Sequence, residues 1–158
     1  MKYLINIILI VLAIILQTSV FSQFQINNSM PNIIMLVIIS LIFISRQKEA
    51  LLWLIVGSLL LDMSSPFRFG YYFLTISVLF FILLRLTNTY FANPSLIFSA
   101  LLFFLASIIL DLPIVIISYN SSMPIIMLLN GIYNVIIGVV LYYFLDYYYR
   151  PKDSIRLT

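Results

Sequence analysis

The chain of 158 residues contains no cysteine and no histidine. Disulfides, thiolate nucleophiles, His-based triads and imidazole-ligated metals are thereby excluded together. Compartment cannot be read from cysteine usage, because its absence fits either redox environment. Charge is almost as scarce: 8% of residues are charged and 64% are hydrophobic, whereas a water-soluble domain carries roughly 25% charged residues. So few charges cannot cover a water-facing surface, and the expected solvent is the lipid bilayer. With four glycines in all, a glycine-rich phosphate cradle is not expected. G-x-S-x-G, H-E-x-x-H and paired-carboxylate motifs are missing as well. These absences predict a protein that is not an enzyme and carries no cofactor or metal. The net charge of +3 is not a nucleic-acid footprint, since the eight Lys and Arg lie mostly at the ends of apolar runs, where they set topology.

What the chain does have is long apolar runs, with a mean hydropathy of +1.18. Six stretches stand between polar breaks, at about 3–21, 31–45, 50–62, 69–84, 95–118 and 123–145. A spanning helix needs about 20 residues. The first, fifth and sixth stretches meet that, the fourth does so with its flanks, and the second and third are short. The first stretch is read as a retained span, because Gln17-Thr18-Ser19-Val20-Phe21 lacks the small-residue pattern of signal cleavage. The short pair is read as two spans, since a re-entrant hairpin would bury the tip Arg46-Gln47-Lys48-Glu49 at about 2.5–3.5 kcal/mol per charge. Helices reaching Met30 on one side and Ser65 on the other bring this pair to nearly full length.

Orientation follows from the basic residues. With the N-terminus inside, Lys2, Arg46, Lys48, Arg85, Arg150, Lys152 and Arg156 fall on one side and Arg68 alone on the other, a strong positive-inside bias. Trp53, Tyr90 and the tyrosines at 142–143 and 147–149 are expected at the inner interface, and Tyr71, Tyr72 and Tyr119 at the outer one. The predicted fold is a single all-α domain over residues 1–158, a bundle of about six transmembrane helices with both termini in the cytoplasm.

Within this bundle a few polar residues stand out. Asp111 lies in the fifth span in Leu110-Asp111-Leu112-Pro113, with Ser107 one turn before it and Ser99 two turns further back. An ionisable group at membrane depth is costly and usually faces the bundle interior; it serves either function or a structural polar lock between helices. Asp62 ends the third span and Arg68 follows it. Asp62, Arg68 and Asp111 share the outer half and are expected to form a network joining the third and fifth spans. The alternative is that Asp62 belongs to an ordinary turn with Ser64, Ser65 and Pro66. Asn130, Gly131, Asn134 and Gly138 share one face of the last span, suited to close packing between helices or to a partner. Gly57 and Ser58 serve packing on the third.

From Met30 to Gly70 the chain resembles MreD, the rod shape-determining membrane protein. The pattern is Met30-Pro31-Asn32, Arg46, Gly57-Ser58-Leu59-Leu60-Leu61-Asp62, Ser64, Pro66 and Gly70, with Asn134 in the last span. Asn32 stands where the family often has Asp, and Ser58 where it usually has Gly. The resemblance covers nearly the whole chain in size and hydropathy. It implies a non-enzymatic subunit of the bacterial inner membrane that acts in cell shape and peptidoglycan elongation. The implied partner is an MreC-type, membrane-anchored periplasmic protein, beside MreB filaments and the RodA–penicillin-binding-protein synthase. The implied fold is similar to the S component of energy-coupling-factor transporters. A substrate-binding S component of a vitamin transporter is the alternative, although the first span lacks the small-residue spacing with which S components dock.

Overall fold

Long apolar runs with few helix breakers satisfy their backbone only as helix when water is scarce, and the structure follows. The computed structural model describes residues 2–24, 29–65, 69–90, 95–118 and 123–149, and among these it is all-helical, with no strand. The described residues form six rods. The first is α1 (Lys2–Ile15), prolonged by a π turn over Leu16–Val20 and a 3-10 turn over Phe21–Phe24. The second is α2 (Ile33–Phe43). The third joins α3 (Gln47–Leu52), a π turn over Trp53–Gly57, and α4 (Ser58–Ser64). The last three are α5 (Tyr71–Tyr90), α6 (Leu96–Ser118) and α7 (Met123–Tyr149). Among the described residues, Leu96–Ile116 and Met123–Tyr149 are long and apolar enough to cross a membrane.

The rods are not equivalent. Every residue of α2 is buried, so this helix is the axis around which the others pack. The apolar character of α2 on all sides is therefore spent inside the protein. The outer rods instead keep bulky apolar side chains on the surface: Leu4 and Ile8 of α1, Leu74 and Phe81 of α5, Ile97 and Ile116 of α6, and Ile136 and Phe144 of α7 are all exposed.

Helix α2 ends in a Schellman cap. Ser45 has a left-handed φ of 62°, the Arg46 N–H reaches back to the Leu41 carbonyl at 2.8 Å and the Ser45 N–H to that of Ile42 at 3.0 Å, satisfying carbonyls the helix would orphan. The turn delivers Arg46, which pairs with Glu49 at 2.6 Å and lies 4.2 Å above the Tyr149 ring. The loop between the second and third rods is thus tied to the C-terminal end of α7. Phe43 continues the tie one layer inward, meeting Phe103 and Tyr142 edge-on at 6.0 Å each.

Two expectations are corrected here. The second rod does not continue as helix to Met30: α2 begins at Ile33 and is capped by Asn32, whose side chain accepts from the Met35 N–H at 3.1 Å. Eleven helical residues span only about 16 Å, and residues 29–32, non-helical, supply the rest. Trp53 is no interfacial anchor: only 6% exposed, it packs in the core. The expected outer aromatic Tyr119 lies outside the described residues, as does the tail from Arg150.

Candidate functional site

Residues Met30–Asn32 run through the interior without a helix to satisfy their own backbone. An unpaired N–H in such a place costs about 1–3 kcal/mol, so other groups of the protein must meet it. Two asparagines of α7 do so. Asn130 Oδ1 accepts from the Met30 N–H and Asn134 Oδ1 from the Asn32 N–H, both at 2.9 Å. An N–H can only donate, so each amide must turn its oxygen toward the segment and its nitrogen away. The nitrogens find α6: Asn130 Nδ2 donates to Asp111 Oδ2 and Asn134 Nδ2 to Ser107 Oγ, both at 2.8 Å. Two parallel relays result, each running from α6 through α7 to the entry of α2.

The registers match for a geometric reason. Ser107 and Asp111 are four apart on α6, and Asn134 and Asn130 four apart on α7, about 6 Å of helical rise. Met30 and Asn32 are two apart in backbone that is not helical, where two residues can rise by up to about 6.6 Å. An i, i+4 pair of amides can therefore serve alternate residues of such a segment.

The first rod closes the site from the other side. Gln17, buried in the π turn of that rod, accepts from the Ile33 N–H at 3.0 Å. The π turn of the third rod brings Gly57 against the next residue. A Cβ on Gly57 would lie 2.9 Å from Ile34 Cγ2, so only glycine admits this approach. Both π turns thus flank the first turn of α2, in keeping with the tendency of such turns to mark specialised positions.

Asp62 serves a different joint. Its Oδ1 accepts from the Tyr72 N–H at 2.8 Å and its Oδ2 from the Phe73 N–H at 3.0 Å, so the end of α4 caps the start of α5. Gly70, at φ +92°, makes the preceding turn that brings those amides round. Of the expected network of Asp62, Arg68 and Asp111, the structure describes the two acids: the Asp62 carboxylate docks on α5, and Asp111 pairs with Asn130 of α7. Their regions are linked indirectly, since the Tyr71 hydroxyl donates to the Leu110 carbonyl beside Asp111. Arg68 lies outside the described residues. Replacing Asp62 with Ala should cost about 1–2 kcal/mol, as for a lost helix cap. Hydrogen exchange should locate the damage: the Tyr72 and Phe73 amides lose protection while α7 keeps its own, and unchanged protection at Tyr72 would refute the capping role.

Of the residues singled out in the sequence, Asp111, Asn130 and Asn134 meet in one network, with Ser107 part of it. Gly131 and Gly138 face Phe104 and Phe103 of α6. Gln17 and the capping role of Asn32 were not anticipated. Gln17 had a signal, a polar side chain at the end of an apolar run, which at that depth needs a partner. Around this network lies a cavity of about 390 Å³, lined by Gln17, Asn32, Tyr72, Ser107, Asp111, Asn130 and apolar neighbours. Among the described residues no cluster of His, Cys, Asp or Glu could hold a metal ion.

Compared with protein-family models, with curated proteins and with solved structures, the chain matches none.

Proposed function

We propose that this chain is a non-enzymatic, six-span subunit of the bacterial inner membrane that works in cell elongation and binds an MreC-type partner. The observation that carries the reading is the bond between Asn134 and the backbone of Asn32, which joins two parts of the MreD-like pattern 102 residues apart in sequence. Three further members of that pattern fall on joints of the bundle: Gly57 against α2, Asp62 on the start of α5, and Gly70 in the turn between α4 and α5. A motif made of ordinary membrane residues gains weight when its members are those that hold the helices in register.

Lipid as solvent is supported by the bulky apolar side chains left exposed on α1, α5, α6 and α7. The expected topology is supported by the Arg46 contact with Tyr149, because both belong to segments assigned to the cytoplasmic side. The chain has no cysteine, so single cysteines report topology without background. Cysteines at Lys48 and Ser154 should resist membrane-impermeant thiol reagents in intact cells, and one at Asn28 should label. Labelling at Lys48 would overturn the six-span arrangement.

The function is tested by depletion and by affinity purification. Cells should round or widen on depletion, and a single-span periplasmic protein of the MreC type should co-purify. Normal cell shape together with stoichiometric vitamin binding would transfer the assignment to the transporter S component.

A further inference from the structure

The cavity beside α2 has walls of two kinds. Asp111 is the one acidic side chain among its lining residues, and no Lys or Arg is among them. Of the carboxylate, Oδ2 accepts from Asn130. The neighbouring N–H groups at the start of α2 are taken by the oxygens of Gln17, Asn32 and Asn134, so the helix end offers little to an anion. The polar end of the cavity therefore sets the Asp111 carboxyl, its one carboxylic acid, among the amide groups of Gln17, Asn32, Asn130 and Asn134. The remaining wall is apolar and pliant. Met30, Met35, Met123 and Met127 line it, four of the six methionines in the chain, together with Leu110, Ile114 and Val115. Methionine side chains adapt to varied apolar shapes and favour aromatic rings. At about 390 Å³, the space falls in the range of small-molecule sites.

We propose that this cavity binds a small amphipathic organic cation, an amine whose ammonium group pairs with Asp111 and whose apolar or aromatic body lies against the methionines. The inference is independent of the elongation reading: a shape-determining subunit and a transporter component could each carry such a site. The ammonium supplies the opposite charge that a carboxylate at this depth otherwise lacks among the described residues, and a charge-assisted hydrogen bond in a low-dielectric site is stronger than one in water.

The test uses the full chain in lipid nanodiscs with three matched probes at neutral pH: 2-phenylethylamine, 2-phenylethanol and phenylacetate. Thermal unfolding is followed against probe concentration. The amine should raise Tm saturably, the alcohol less, and the acid not at all. Asp111→Asn should weaken the amine by roughly tenfold or more, the equivalent of about 1.4 kcal/mol, and remove its advantage over the alcohol. Should that variant give too little folded protein, Ile114→Trp, which fills the cavity and spares the carboxylate, should abolish the amine shift. Arg68→Gln should leave the preference for amine intact. Equal shifts from all three probes would mean partition into the bilayer and would overturn the proposal. So would preference for phenylacetate, amine binding unchanged in Asp111→Asn or in Ile114→Trp, or amine binding that emerges only after Arg68 is removed. In that last case Asp111 belongs to a cation of the chain itself.

Discussion

Replacing Asn134 with Leu should destabilise the protein by about 2–4 kcal/mol. The residue is 3% exposed and holds two bonds at once. Its oxygen satisfies the Asn32 N–H, its nitrogen the Ser107 hydroxyl. Leucine has nearly the right volume, so the loss is one of polar pairing and not of packing. The cost is high because a backbone N–H inside the bundle cannot be exchanged for an apolar group when its partner disappears. Ser107→Ala removes only the second bond and should cost about 1 kcal/mol. Reversible unfolding in mixed micelles compares the two. Equal effects would mean that the entry to α2 does not depend on Asn134.

Gly138→Ala should cost about 1–3 kcal/mol through overpacking. The added Cβ would stand 2.8–2.9 Å from three atoms of the Phe103 ring. Phe103 cannot yield: it is fully buried and set edge-on to Phe43, which in turn meets Tyr142. Gly131 makes the instructive comparison. A Cβ there would come still closer, 2.6 Å from the Phe104 ring, yet Phe104 is only half-buried and has room to turn, so Gly131→Ala should be the milder change. Shape complementarity between α6 and α7 predicts further that Phe103→Leu recovers part of the Gly138→Ala loss. The double-mutant cycle should give a coupling of about 0.5–3 kcal/mol. Strict additivity would show that the two residues do not confront each other in the folded protein.

Much of the last span could be read from spacing alone. Asn130, Asn134 and Gly138 recur at four-residue intervals, and in a helix that places them on one face whatever surrounds it. Asp111 was conspicuous for a similar reason, since a carboxyl among leucines needs a partner at any depth. The start of α2 was a different problem. Pro31 argues against helix at Met30, but nothing in Met30-Pro31-Asn32 reports what satisfies the backbone there, because that is a pair of side chains a hundred residues further on. A long-range supply of acceptors leaves no local trace. Asp62 fell between these cases. Its position at a helix end was legible, but which helix it would cap depended on how Gly70 turns the chain back. Trp53 misled because an indole near a basic loop fits an interfacial belt and a buried core equally well; only the packing of the third rod against α2 decides.

The dependence of Met30–Asn32 on α7 has a consequence for how the protein is made. Synthesis delivers the second rod long before the sixth, so the amides at Met30 and Asn32 leave the ribosome with their eventual acceptors not yet translated. Until Asn130 and Asn134 arrive, this stretch has to find its hydrogen bonds in water or in other groups. Seating of the second rod is thereby completed only once α7 has been made, and a nascent chain stopped before residue 123 would lack the acceptors for the entry to its central helix. Segment α7 thus locks a helix entry translated about a hundred residues before it, and a copy cut short ahead of α7 would leave those two amides without their acceptors.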